Sequence, residues 1–265
     1  MNLEGVSIID IGVNLLNKQF DKDREEVVKR AKANGVFMIL TGTSYMCSMQ
    51  MVTKTSVDYN ISCTVGIHPH SSKEFNNSTS KQLEELIKQG GNRVVAVGET
   101  GLDYNRNYSP PSKQKIAFRE HVRLALKLNM PLFIHSREAH QDLITILDQE
   151  FEKAGKTVPC VVHCFTEGMS EAQDYLDRGF YLGFTGFICK SGRGRDARNN
   201  IIPNVPIDRI MVETDAPFML PYEGRERCEP IHVKEVVQTI AEIKGMNVKK
   251  CKQQILKNTR TFFKI

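Results

Sequence analysis

Val94-Val95-Ala96-Val97-Gly98-Glu99 is a short β-branched apolar run that closes on a carboxylate. Three other segments repeat the arrangement: Leu132-Phe133-Ile134-His135, Val161-Val162-His163 and Ile210-Met211-Val212-Glu213-Thr214-Asp215. A lone strand-end acid or histidine is commonplace, because buried polar side chains are often simply hydrogen-bonded in place. Four such endings spread over more than a hundred residues predict side chains that converge at one end of a parallel sheet.

Working outward, β-branched and apolar runs recur around Ile8–Ile11, Val36–Leu40, Ser62–Val65, Val94–Val97, Leu132–Ile134, Val161–Val162, Phe180–Phe184 and Ile210–Val212. They read as continuous rather than alternating, as expected of strands buried on both faces. Helical periodicity fills the intervals. Phe118, Val122, Ala125 and Leu126 form one stripe in a helix predicted from about Pro110 to Leu128, with Ser109 as its cap and Asn129 and Pro131 as its stop. Asp23 to Ala33 is a second helix, ended by Asn34-Gly35. Eight strand–helix units in 265 residues predict an α/β chain folded as a single-domain (β/α)8 TIM barrel spanning residues 1–265. A doubly wound open sheet is the alternative. It concentrates ligands at one or two crevices and leaves most of these strand endings unexplained.

Composition sets the outer bounds. Hydrophobic residues make up 40% and charged residues 25%, ordinary values for a globular protein. No apolar run reaches membrane-spanning length, and the start of the chain lacks the pattern of a signal peptide. Seven scattered cysteines, an odd number, argue for reduced thiols inside a cell: cytoplasmic, and nuclear as well if the source is eukaryotic. The net charge of +5 is compatible with a nucleic-acid partner without requiring one.

Imidazole and carboxylate together suit Zn, Mn or Co, and a carboxylate-rich, wet site also accepts Mg. Glu99, His135, His163 and Asp215 are therefore the expected metal ligands. Asp215 is also expected to take a proton from the attacking water, with Glu99 as the other catalytic carboxylate. Glu213, two residues earlier on the same strand, is read as structural. His68 and His70, in Gly66-Ile67-His68-Pro69-His70, either complete the metal site or hydrogen-bond a phosphate oxygen. Arg193, Arg195, Lys190 and Arg198 form a basic loop after the seventh run, and Arg106 and Arg137 belong near the same rim. These cations are expected to meet a polyanionic backbone, and the aromatics Tyr104, Phe187 and Tyr222 to stack on bases.

Gly98-Glu99-Thr100-Gly101-Leu102-Asp103-Tyr104, Val162-His163-Cys164-Phe165, Gly183-Phe184-Thr185-Gly186 and Glu213-Thr214-Asp215-Ala216-Pro217 together resemble the TatD family of metal-dependent deoxyribonucleases. The resemblance runs from Asp10-Ile11-Gly12-Val13-Asn14-Leu15 to Asn258-x-Arg260-x-Phe262-Phe263. It implies an amidohydrolase-like barrel whose divalent metal, Mg or Mn first and Zn after them, is bound by Glu99, His135, His163 and Asp215. Asp103 and Asn14 are expected beside the substrate. The chain departs from the family's Asp-x-His-x-His in the first strand, where it has Asp10-Ile11-Gly12-Val13-Asn14. One firm metal is therefore expected, with any second ion weakly held.

The implied activity is 3′-5′ removal of nucleotides from single-stranded DNA ends, in DNA repair or DNA fragmentation, by a monomer that meets no membrane. Two alternatives share the sequence. One is a metal-dependent amidohydrolase or esterase such as an aminoacyl-tRNA deacylase, because activated water attacks carbonyl carbon as well as phosphorus. The other is a non-catalytic nucleic-acid-binding barrel.

Overall fold

The computed structural model describes residues 3–192, 194–224 and 226–265. Its eight strands are β1 (Ile8–Val13), β2 (Val36–Leu40), β3 (Ser62–Val65), β4 (Val94–Asp103), β5 (Leu132–Arg137), β6 (Cys160–Val162), β7 (Tyr181–Phe184) and β8 (Ile210–Val212). They form one sheet in sequence order, β1 through β8, with helices between successive strands. Every strand pairing seen is parallel. A parallel bridge from Val13 to Ala216 also joins the segment after β8 to β1. This is the strand order of the expected (β/α)8 barrel.

Two compact units divide the chain: the stretch through Leu40 with Cys164–Ile265, and Thr41–His163. In the first, β1 and β2 pair from Ile8–Val36 onward, and β7 and β8 from Leu182–Ile210. Helices Arg24–Ala33, Val233–Ile243 and Val248–Phe263 turn Val27, Val28, Val236, Val237, Ile240, Ile255 and Phe262 inward. In the second, β3 to β6 pair consecutively, flanked by helices Thr79–Gly90, Pro111–Leu128 and His140–Ala154. Residues of β4 are buried throughout, which accounts for its unbroken apolar run.

The helix after β4 starts at Pro111 and stops at Asn129, whose left-handed φ of 52° terminates it. Ser109 is not its cap: Pro110 holds that position, and the Ser109 hydroxyl has other partners. β4 also overruns its expected end at Glu99 and continues to Asp103. Its pairing with β5 slips between Gly98 and Thr100, so Glu99 sits at a bulge inside the strand. Bulges re-aim a side chain, and here the residue re-aimed is the acid. No helix among the described residues is long and apolar enough to cross a membrane. All seven cysteines are free.

Candidate metal centre

The Thr41–His163 unit gathers most of the expected site. Gly66 and Gly98 let β4 pass close to the segment after β3. A Cβ on Gly66 would stand 2.5 Å from the Gly98 carbonyl carbon, and one on Gly98 would meet the Phe133 carbonyl oxygen. This tight passage brings three imidazoles onto one oxygen of Glu99. His163 Nε2 is 2.7 Å from Glu99 Oε1, His135 Nδ1 3.1 Å and His68 Nε2 3.1 Å. His163 is stacked on Phe133, with ring centroids 4.6 Å apart.

Burial by itself pushes the Glu99 carboxyl up, but His68, His163 and His135 outweigh it and hold the group well below the usual carboxylate range. For His135, burial acts downward and is overcome by Asp103 and Glu99, so its value is raised. Burial dominates at His68 and lowers it, despite Glu99.

The donor set fits a divalent cation. One buried carboxylate and two imidazoles supply oxygen and nitrogen ligands of the kind that Zn, Mn and Co favour. His135 turns its Nε2 toward Asp103 Oδ2 at 3.4 Å, which orders the ring beside Glu99. His68 is different, although it lies within 4.8 Å of Glu99 and His135 at their ligand atoms. It caps the short helical turn Pro69–Glu74, and its Nδ1 accepts the His70 backbone N–H at 3.0 Å. A neutral imidazole whose Nδ1 accepts must carry its proton on Nε2. His68 therefore points a donor at Glu99, and Glu99, His135 and His163 are the residues that would hold the metal.

His70 and Asp103 form an adjoining pair, Nε2 to Oδ2 at 2.7 Å. Asp103 is buried, and its Oδ1 accepts the amides of Asn105 (3.1 Å) and Arg106 (2.8 Å). Burial raises its pKa, but the hydrogen bonds from His135, His70 and the Arg106 amide outweigh that and leave it lowered. Asp103 was expected to face substrate. Both of its oxygens are engaged within the protein, Oδ2 with His70 Nε2 and Oδ1 with the two amides. Arg106 and Arg137 are exposed, with Asp103 and Arg137 aligned across β4 and β5.

In the other unit, Asp215 follows β8 with φ 51°, a left-handed conformation that Asp tolerates better than most residues. Asn14, expected beside the substrate, donates its side-chain amide to Asp215 Oδ1 at 2.8 Å. Glu213 is fully buried, and its Oε1 accepts the Cys164 N–H at 2.5 Å, which fits the structural reading. Asp10 accepts from Thr214 N (2.9 Å), Thr214 Oγ1 (2.5 Å) and Gly12 N (3.3 Å). Arg193 lies outside the described residues; Arg195 is exposed. Arg198 is no free cation for phosphate, because its guanidinium binds the carbonyls of Ile188, Lys190 and Ser191.

Sequence reasoning missed three supporting residues. Gln114, fully buried, receives the Asp103 N–H at 2.8 Å and donates to the carbonyls of Asp103 (3.0 Å) and Ser109 (2.8 Å). Ser109 accepts from Lys73 N (3.0 Å) and donates to His70 O (2.8 Å). His121 accepts the Ile67 N–H at 3.0 Å, immediately before His68. A polar residue on the buried stripe of helix Pro111–Leu128 was the available signal for Gln114 and His121.

A family model described as TatD related DNase matches residues 9–264. A 3′-5′ ssDNA/RNA exonuclease TatD from Erwinia amylovora is 39% identical over 263 residues, covering 97% of this chain and 99% of the relative. One from Klebsiella pneumoniae is 38% identical, covering 97% and 98%. Among solved structures, the TatD homologue YjjV of Escherichia coli superposes with a TM-score of 0.88 at 26% identity, covering 98% of this chain and 99% of that one. A TatD family hydrolase from Entamoeba histolytica gives 0.85 at 24%, covering 97% and 98%, and supports the fold alone.

Proposed function

From the premise that this chain belongs to the family of TatD related DNases, a (β/α)8 barrel family, we propose that it is a divalent-metal-dependent 3′-5′ exonuclease acting on single-stranded nucleic acid. The observation that carries the reading is the buried Glu99 carboxylate ringed by His135, His163 and His68. Such a carboxylate is costly in a protein interior unless cationic partners compensate it.

A bound divalent ion, Mg or Mn by preference and Zn as the alternative, supplies Lewis-acid stabilisation of the charge that develops on phosphorus oxygens and on the attacking water. Glu99, His135 and His163 would hold it. His68, proton on Nε2, fixes the orientation of Glu99. His70, braced by Asp103 and about one-third exposed at its side chain, meets the phosphate from the solvent side. Asp215 is assigned the water's proton on the strength of its motif, Glu213 to Pro217, and Asn14 holds its carboxylate. Arg106, Arg137, Arg193 and Arg195 supply non-specific backbone attraction.

Water's oxygen bonds to phosphorus, the bond from phosphorus to the neighbouring sugar's 3′ oxygen breaks, and that oxygen leaves protonated. The product is a nucleoside 5′-phosphate and a strand one residue shorter. Within this reading the enzyme acts as a monomer in the cytoplasm.

The test is single-stranded DNA labelled at its 5′ end, incubated with Mg or Mn, with EDTA, and with Glu99→Ala. A metal-dependent ladder of products shortened from the 3′ end, absent with EDTA and in the variant, is the expected result. Cleavage that persists in Glu99→Ala would overturn the site assignment, and intact DNA under all conditions would overturn the nuclease reading.

A further inference from the structure

Among the aromatics of the Thr41–His163 unit, one is displayed rather than packed. Tyr104, one of the three aromatics expected to stack on bases, is half-buried and ties its hydroxyl to Asp142 Oδ2 at 2.6 Å. Tyr108, four residues on, is 59% exposed. Its ring stands edge-on to His70, centroids 4.7 Å apart and planes at 71°. His70 in turn lies 4.2 Å from His68 and 6.3 Å from His135, measured between ring centroids. The exposed ring is therefore one imidazole removed from the residues around Glu99.

An exposed tyrosine on a loose loop would carry no argument. This one is braced on both sides. Asn107 turns the chain with φ 51° and anchors its side chain on the Tyr104 carbonyl at 2.6 Å. Ser109, fully buried, is fixed to His70 and Lys73, and Gln114 ties Ser109 to Asp103. The loop from Asp103 to Ser109 is closed on itself by hydrogen bonds, and the ring it presents remains open to solvent. Arg106, on the same loop, and Arg137, aligned with Asp103 across β4 and β5, are exposed cations of the same unit.

An aromatic face held rigid beside a phosphate-directed cluster is the design of a stacking platform: bases offer a π-face whatever their sequence, and a fixed ring loses little entropy on binding. We propose that Tyr108 forms a nucleobase subsite, in which a base of the single strand stacks on the exposed ring while its phosphate lies at His70 and the Glu99 cluster. The proposal rests on the nuclease reading and adds the feature that aligns the strand. Stacking without base-edge hydrogen bonds accepts all four bases and rejects a sugar that lacks one.

The chain contains no tryptophan, so Tyr108→Trp installs a unique fluorophore at an exposed position. The variant, loaded with Mg, is titrated with a short oligothymidylate whose linkages are phosphorothioate to prevent cleavage. A second titration uses the same oligomer with abasic residues at its three 3′ positions. Tryptophan quenching by the first and little by the second is the expected result. In parallel, Tyr108→Ala should raise KM for an ordinary oligonucleotide about tenfold with kcat within about twofold, and the penalty should vanish on the abasic substrate.

Equal quenching by both oligomers, or an equal penalty on both substrates, would overturn the subsite. Binding seen by the anisotropy of a labelled oligomer, with no change in tryptophan emission, would overturn it too. Absence of binding by anisotropy in the unaltered protein would instead remove the nucleic-acid reading on which the subsite rests.

Discussion

Two acids of this chain, Glu99 and Asp10, are both buried and behave in opposite ways. Glu99, at the bulge in β4, faces imidazoles and is held well below the ordinary carboxylate range, although burial pushes it up. Asp10, in β1, faces a threonine hydroxyl and two backbone amides. Burial prevails there, those hydrogen bonds only moderate it, and its carboxyl is raised. Burial does not distinguish the two; their partners do. Neutral donors around an acid build a structural clasp, here between β1 and Thr214. Imidazoles around an acid build a centre where negative charge is retained, which is what a cation needs.

Replacing the acids one at a time should break the comparison most sharply. Glu99→Gln keeps the shape and removes the charge, and is expected to lower exonuclease turnover by about a thousandfold or more. Asp10→Asn, the same chemical change, is expected to leave turnover within about threefold. End-labelled DNA assays of the two purified variants check this, and equal losses would erase the distinction.

His121 sharpens the point with a buried titratable group that lacks a charged partner among its hydrogen bonds. Its Nδ1 donates to the Ala117 carbonyl and its Nε2 accepts from Ile67. Burial carries its pKa down from 6.5 to about 4. The folded state thus disfavours the protonated form. The stability contribution is complete above pH 6.5 and is lost as pH falls through about 4, a change of about 3 kcal/mol. Urea unfolding between pH 7 and 4 should show His121→Gln with a shallower loss than the wild type. Parallel slopes would refute the assignment.

A smaller effect separates clasp from isostere at Asp10. Asp10→Ala strands the amides of Thr214 and Gly12 and should cost about 2 kcal/mol, whereas Asp10→Asn retains an acceptor and should cost less than about 1 kcal/mol. Denaturant midpoints measure both.

The smallest effect concerns His68, which touches Glu99 yet is assigned no metal. Nitrogen NMR should find its proton on Nε2 before and after metal addition, while His135 and His163 change. His68→Gln, whose amide replaces the Nε2 donor, should bind metal within about threefold of wild type, and His68→Ala about tenfold more weakly. A His68 Nε2 that loses its proton when metal is added would make it a ligand after all.

The sequence made the eight strands legible because buried parallel strands leave unmistakable β-branched runs. Val36–Leu40, Ser62–Val65 and Ile210–Val212 agree with their expected bounds. Glu99 was found for a partly mistaken reason. Its strand was expected to close on it, whereas Gly98 and Gly101 let β4 run on past Glu99 in close approach to β5. Partnerships were less legible than identities. Nothing local in Asp103 says that two amides and His70 consume its oxygens, or that Asn14 serves Asp215. Ser109 and Pro110 carried an ordinary capping signal, and tertiary hydrogen bonds to His70 and Lys73 overrode it. Tyr104 and Tyr108 are identical as letters, and only the structure separates the tethered ring from the displayed one.

The account turns on whether Glu99 and its imidazoles bind a cation. Metal-stripped protein titrated with Mn²⁺, followed by disappearance of the free-ion EPR signal, asks this directly. Wild type and Asp10→Asn should take up the ion with the same affinity, and Glu99→Gln should bind at least tenfold more weakly. Uptake by Glu99→Gln equal to that of wild type would contradict the account.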